Sequence, residues 1–380
     1  MGAIRSQRHR FAIPDDVHYI NCAYMAPLSH DVSEAVARGA RLKQQPWDYR
    51  PADFFSITED FRSRAARLAG VPADCVAVVP SASYALAIAA ANLSLAKGQK
   101  IVTLADQFPS NVYAWQELAR TCGGEVVQVQ RPSQDSWTDA VLDAIGQDTG
   151  IVALPNCHWA DGRVVDLVAV GEKCRAMGAA LVLDLTQSLG AMPIDFAAVR
   201  PDFAVAACYK WLMGPYGIGM LYVDPKHHAG RPIEHNWINR AGSEDFSRLV
   251  DYRDDFQPGA RRFDMGEKSN PPLLMGAGAA IDFLLEFGVD AIAGTLADST
   301  EAIAAEAREL GLLAAPVGNR AAHFLALEFP DGVPDGLTET LAANHVFVSL
   351  RGASLRVTPH LYNSDADREA LIGSLRACLG

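Results

Sequence analysis

VAACYKWLMGPYGIGMLYV, residues 205–223, sets an apolar, strand-like run against a single amine, Lys210, followed by a glycine-rich turn and a second apolar run. Upstream, ALVLD (180–184) is another strand-like run, and it ends on a carboxylate, Asp184. A lysine amine can form an imine with an aldehyde cofactor, and a buried carboxylate can keep a pyridine nitrogen protonated so that the ring accepts electrons. The two residues together point to a site for pyridoxal phosphate (PLP), which neither would do alone.

Outward from this pair, short runs rich in branched apolar residues alternate with longer segments of helical period. The runs are 75–80, 100–105, 125–130, 150–155, 179–184, 202–208 and 218–223, and helix candidates lie at 83–96, 110–122 and 164–177. Near-continuous apolar strands separated by helices predict an α/β fold, a mainly parallel sheet with helices on both faces. The helix at 83–96 is apolar nearly all round and is expected to be buried. Residues 224–270 are rich in Asp, Arg, Gly and Pro and read as a crossing between domains. After them come an alanine-rich helix pair (273–310), a strand at 323–329, a helix near 335–344, strands in HVFVSL and SLRVT, and a closing helix from about Ser364. That order reads as a smaller α+β domain. The division expected from composition is a large domain ending near residue 265 and a small domain from 266 to 380.

At 380 residues, 49% apolar and 21% charged, the chain can bury a large core and should form about two domains. A formal net charge of -12 argues against broad contact with nucleic acid and favours a small-molecule role. The seven cysteines are scattered without CxxC spacing, which reads as reduced thiols in the cytoplasm. No apolar run reaches the roughly 18 residues of a membrane span. The first ten residues, with Arg5, Arg8 and Arg10, lack the apolar core of a signal peptide and read as a mobile arm. His227 and His228 lack metal-ligand spacing, and no metal is expected.

Ligands of an open parallel sheet bind beyond the carboxyl ends of its strands. Here the polar and aromatic candidates follow five such ends: Ser81 and Ser83, Phe108, Trp159, Asp184 with Gln187, and Tyr209 with Lys210. SAS (81–83) leads into a helix whose first N–H groups can hold a phosphate, although Ser81 or Ser83 could equally be an ordinary N-cap. Phe108 can stack on a cofactor ring or belong to the core, and Trp159 has the same two readings, with an indole N–H able to reach a polar atom.

DLTQSLGAMPID (184–195) followed by CYKWLMGPYGIG (208–219), with the lysine 26 positions after the aspartate, resembles the pattern of the class V aminotransferase family of fold type I PLP-dependent enzymes. That group includes cysteine desulfurases, isopenicillin N epimerase-like proteins and kynureninase. The resemblance runs from YINCAYMAPLS (19–29) to SLRVTPHLYNSDAD (354–367). It implies a large PLP-binding domain (31–265) and a small α+β domain (266–380) packing with an N-terminal segment (1–30), a homodimer with shared active sites, an imine at Lys210, Asp184 at the pyridine nitrogen and Gln187 at the phenolic oxygen. It further implies phosphate contacts from Ala82, Ser83 and Tyr209, and from Ser269 and Asn270 across the dimer. Arg356, with Asn21, is implied to bind the substrate, the arginine fork taking its carboxylate; without the flanking match Arg356 would read as a surface ion pair.

The departures restrict the chemistry. No cysteine lies between Cys208 and Cys378, so a desulfurase mechanism with a persulfide on the enzyme is not expected. Phe108, in an FPSN context closer to kynureninase, stands where desulfurases stack a histidine, and it cannot relay protons. Trp159 stands where many members carry asparagine, and Ala82 where they often carry a hydroxyl. The resulting expectation is an enzyme acting on a small amino acid, an aminotransferase in the first place. A PLP-dependent C–S or C–C lyase or an amino-acid epimerase is the alternative, and a non-catalytic PLP-binding protein the third reading.

Overall fold

A computed structural model of the chain describes residues 3–132 and 136–379. The chain opens with a two-residue strand β1 (His18–Tyr19) and helices α1 (His30–Leu42) and α2 (Asp53–Ala69). Seven strands then form the main sheet: β2 (Val76–Val79), β3 (Lys100–Leu104), β4 (Glu125–Val129), β5 (Thr149–Leu154), β6 (Ala180–Asp184), β7 (Phe203–Ala207) and β8 (Gly219–Val223). Between them lie α3 (Ala82–Asn92), α4 (Ser110–Cys122), α5 (Trp137–Ala144), α6 (Leu167–Met177) and α7 (Phe196–Val199). The strand order is β2-β8-β7-β6-β5-β3-β4, and β8 alone runs antiparallel to its neighbours. This is the mainly parallel sheet that the apolar runs predict.

The strands are apolar throughout because both faces of the sheet are covered. On β2, Val76 and Val78 enter one core while Ala77 and Val79 enter the other; on β7, Ala204 and Ala206 face the first and Phe203 and Val205 the second. Alternation on a pleated strand sends successive side chains to opposite faces, so a strand buried on both needs no polar positions. Helix α3 differs from expectation. Ala85, Leu86, Ile88 and Ala89 are buried, but Ser83 and Ala91 are exposed, because small alanines keep the helix close to the sheet without requiring cover on its outer side.

The remaining elements are α8 (Pro271–Phe287), α9 (Val289–Glu309), β9 (Leu313–Ala314), β10 (Leu325–Glu328), α10 (Leu337–Ala343), β11 (Val346–Phe347), β12 (Ser349–Arg351), β13 (Ser354–Val357) and α11 (Asp365–Leu379). Strands β12-β13-β10-β9 make an antiparallel sheet, and β1 pairs in parallel with β11. Ile20 joins Leu325, Leu327, Leu355 and Val357 in a third core. Helix α8 packs closely on α1, where a Cβ on Gly39 would lie 2.5 Å from the Pro272 nitrogen, so only glycine allows the approach. Among the described residues no single helix is long and apolar enough to cross a membrane; α8 and α9 would suffice together but bend by 77°.

A second expectation needs correction. The described part of the first ten residues is not a free arm: Arg10 bridges Asp31 and Glu286 at 2.8 and 2.9 Å, Arg8 pairs with Asp367 at 3.3 Å, and the Gln7 N–H donates to the Leu361 carbonyl at 2.7 Å. Basic residues at a chain end look solvated until the fold brings acidic partners to them. The loop-rich stretch 224–270 also does more than connect. Its Asp264 accepts from Arg62 at 2.7 Å, Lys268 at 2.8 Å and the Val78 N–H at 2.8 Å, all buried, which ties this stretch to α2 and to β2.

Candidate active site

At the carboxyl ends of β2, β3, β5, β6 and β7 lies a cavity of about 210 Å³ lined by Ser81, Ala82, Ser83, Phe108, Trp159, Asp184, Gln187, Tyr209 and Lys210. Eight of these are the candidates that follow strand ends in the sequence, and Ala82 is the phosphate contact that the resemblance implies. Parallel strands end at one edge of the sheet, so residues up to about 130 positions apart in the chain meet there.

Lys210 is buried, with its Nζ 5.3 Å from the Phe108 ring centroid and 5.4 Å from that of Tyr209. Burial pulls its amine down to about 8; Asp184 offsets this in part, while the charges of Arg356 and Arg351 add to it. Asp184 opens onto the cavity and accepts from the Thr186 N–H at 3.0 Å. Burial raises its carboxyl above the ordinary range, against hydrogen bonds from Thr186 and the charge of Lys210. A carboxylate so placed gains most from a cationic partner.

Ser81 is the N-cap of α3, accepting from the Tyr84 N–H at 3.2 Å. The cap does not use up the helix start, because capping by Ser81 leaves the N–H groups of Ala82 and Ser83 without a partner among the described residues. The Ser83 hydroxyl donates to Ser110 Oγ at 2.8 Å. Tyr209 keeps its phenol protonated, burial pushing it up to about 12. The Gln187 amide accepts from the Trp211 indole at 3.0 Å and donates to the Ala23 carbonyl at 3.2 Å, which leaves one N–H of its two for a ligand. Phe108 and Trp159 meet edge to face at 5.6 Å, and the Trp159 indole donates to the Asp106 carbonyl at 2.7 Å.

Arg356 and Asn21 do not line the cavity but adjoin it. The Arg356 guanidinium donates to the Trp159 carbonyl at 3.0 Å and to Ser349 Oγ at 3.4 Å, and Ser349 donates to Asn21 Oδ1 at 3.0 Å. Arg356 is buried, so the surface ion-pair reading fails. Ser269 and Asn270 lie apart, in a groove of about 670 Å³ with Tyr49 and Phe54. There Ser269 donates to the Phe54 carbonyl and Asn270 caps α8 by accepting from the Leu273 N–H.

Thr186, Ser110 and Tyr216 also line the cavity and were not singled out from the sequence. Thr186 had a signal, since it lies between Asp184 and Gln187. Ser110 and Tyr216 had none beyond their nearness to Phe108 and Lys210.

The residues present fit PLP. Free N–H donors at a helix start suit the phosphate, a buried carboxylate without an ion pair among the described residues suits the pyridine nitrogen, a spare amide N–H suits the phenolic oxygen, and an amine of lowered basicity suits the aldehyde. Among the described residues no group of three or more His, Cys, Asp or Glu is placed to hold a metal.

Comparison with known proteins agrees. The chain is 29% identical to a kynureninase of Deinococcus radiodurans over 68% of its own length and 64% of that protein, a match that spans just under two thirds of the relative. It is 29% identical to YcbU, an uncharacterized aminotransferase of Bacillus subtilis, over 84% of this chain and 83% of the relative. A solved structure of a C-DES mutant with glycine covalently linked to its PLP cofactor superposes with a TM-score of 0.86 at 16% identity, covering 97% of this chain and 99% of that one. Residues 48–378 match the model of class-V aminotransferases, and the chain belongs to that family.

Proposed function

We propose that this protein is a PLP-dependent enzyme acting on an amino acid, with aminotransfer as its reaction. The observation that carries this reading is the buried Lys210 amine, lowered to about 8, in one cavity with the Asp184 carboxylate. When bound, PLP supplies an aldehyde that joins the amine of a substrate and a ring that takes up the electron pair left when a proton departs.

Asp184 would face the pyridine nitrogen and favour its protonated form. The free N–H of Gln187 would meet the phenolic oxygen, and the Phe108 ring would cover one face. The Ala82 and Ser83 N–H groups and the Tyr209 hydroxyl would hold the phosphate. Arg356, with Asn21 braced through Ser349, would take the substrate's carboxylate. Lys210, its amine lowered to about 8, is neutral for a useful fraction of the time near neutral pH and would remove the α-proton as general base. A proton delivered to the α-carbon from the face opposite Lys210 would give inversion instead of transfer.

A second reading, C–C or C–S cleavage, is supported by the 29% identity to kynureninase and by an aromatic, non-titrating residue at Phe108. We also propose a homodimer in which the Ser269 and Asn270 groove reaches the partner's cavity, supported by exposed Trp47 and Tyr252. Seven free thiols support a cytoplasmic location.

The test is to load the purified protein with PLP, screen amino acids for a change in its visible absorbance and identify products by mass spectrometry. A 2-oxo acid with aminated cofactor supports transfer; a cleaved side chain supports the lyase. Lys210→Ala should reduce turnover by at least about a thousandfold while the far-ultraviolet circular dichroism stays as in the parent. Full activity in that variant would sink the proposal.

A further inference from the structure

Two cations stand together beside the cavity, both against its wall residue Trp159, whereas a substrate α-carboxylate would compensate one. Arg351 on β12 and Arg356 on β13 belong to one antiparallel pair in which Ser349 faces Arg356 and Arg351 faces Ser354. With side chains alternating along each strand, Arg351 and Arg356 emerge on the same face as diagonal neighbours. Both flank Trp159, a wall of the cavity: the Arg351 guanidinium lies 6.0 Å from its ring centroid, and Arg356 donates to its carbonyl at 3.0 Å.

Their protein partners are all neutral. Arg351 donates to the Leu350 carbonyl at 2.8 Å, Arg356 bonds the Trp159 carbonyl and Ser349, and Nε of Arg356 is buried without a partner. Among the described residues no Asp or Glu forms an ion pair with either arginine. Each also repels Lys210, and Arg351 joins burial in pulling Arg356 down to about 10. Like charges held this close disfavour the ligand-free site and favour a ligand carrying more than one negative group.

We propose that Arg351 receives a second anion, on the substrate's side chain, so that the substrate class is an acidic amino acid bearing a carboxylate or sulfinate. This rests on the reading in which Arg356 takes the α-carboxylate. The Arg351 fork matches either oxyanion through two N–H groups, and Trp159 supplies a flat surface for the carbon chain between the two anions.

The test compares ligands of matched length on the PLP-loaded protein. Isothermal calorimetry with succinate and butyrate, which do not react, measures binding directly. Titration of the visible absorbance compares L-aspartate, L-glutamate and L-cysteine sulfinate with L-2-aminobutyrate and L-norvaline. We expect the dianions to bind roughly tenfold to hundredfold more tightly, and that ratio to collapse toward one in Arg351→Gln and to survive in part in Arg351→Lys. Equal affinities in the parent, or an undiminished ratio in a folded Arg351→Gln, would overturn the proposal. If no amino acid disturbs the absorbance while succinate still outbinds butyrate through Arg351, the proposed reaction fails and the anion site stands. If amino acids react with no preference for acidic ones, the reverse holds.

Discussion

Lys210 is a cation in water and partly an amine in this cavity, and its environment makes the change. Burial disfavours the charged form, the neighbouring arginines add to this, and Asp184 opposes it. The sign for reactivity follows: only the neutral amine attacks an aldehyde, and its share falls as pH drops below the folded value of about 8. Capture of PLP by the cofactor-free protein should therefore quicken as pH rises and level off above about 8, followed by absorbance after rapid mixing. A rate still climbing steeply near the ordinary lysine value of about 10.4 would show that the amine is not perturbed. Tyr209 has the opposite character. Its phenol is pushed up to about 12 and remains a hydrogen-bond donor throughout that range.

At the scale of elements, α3 and the loop after β8 hold the site in place. The start of α3 faces the cavity because β2 ends just before it, and β2 is held from below by Asp264, which bonds the Val78 N–H, Arg62 and Lys268. This buried group is one carboxylate serving two cations. Removing it leaves Lys268 without an ion pair among the described residues and Arg62 with Glu59 alone, so Asp264→Ala should destabilise the protein by about 3–5 kcal/mol, read from denaturant midpoints. A loss under about 1 kcal/mol would mean that water reaches the two cations. The same variant should weaken PLP retention, because the Ala82 and Ser83 N–H groups depend on where β2 places them. The α1–α8 contact at Gly39 is a steric constraint of another kind, and it fixes the groove that holds Ser269 and Asn270.

For the molecule as a whole, the open groove and the exposed aromatics set the expectation for assembly. Trp47 and Tyr252 are 77% and 93% exposed, large rings that a partner chain would cover. Sedimentation equilibrium should give a mass of twice the 40.8 kDa chain. A monomer that retains full activity would remove Ser269 and Asn270 from the site. The N-terminal segment is part of the same architecture, for β1 pairs with β11 and Ile20 enters the core beneath β10 and β13.

The strands, the mainly parallel sheet and eight cavity residues could be read from the sequence because strand composition and strand ends are local properties. A run apolar at every position can be satisfied only by cover on both faces, and a polar residue just past such a run lands at the sheet edge. Lys210 and Asp184 were legible for that reason. Tertiary structure alone decided what depends on distant partners. Arg8 and Arg10 look solvated until Asp367, Asp31 and Glu286 arrive. Arg351 looks like any loop arginine until pairing with β13 sets it beside Arg356 and Trp159. Charge–charge energies depend on separation in space and on access of water, and neither is encoded in the spacing of residues along the chain.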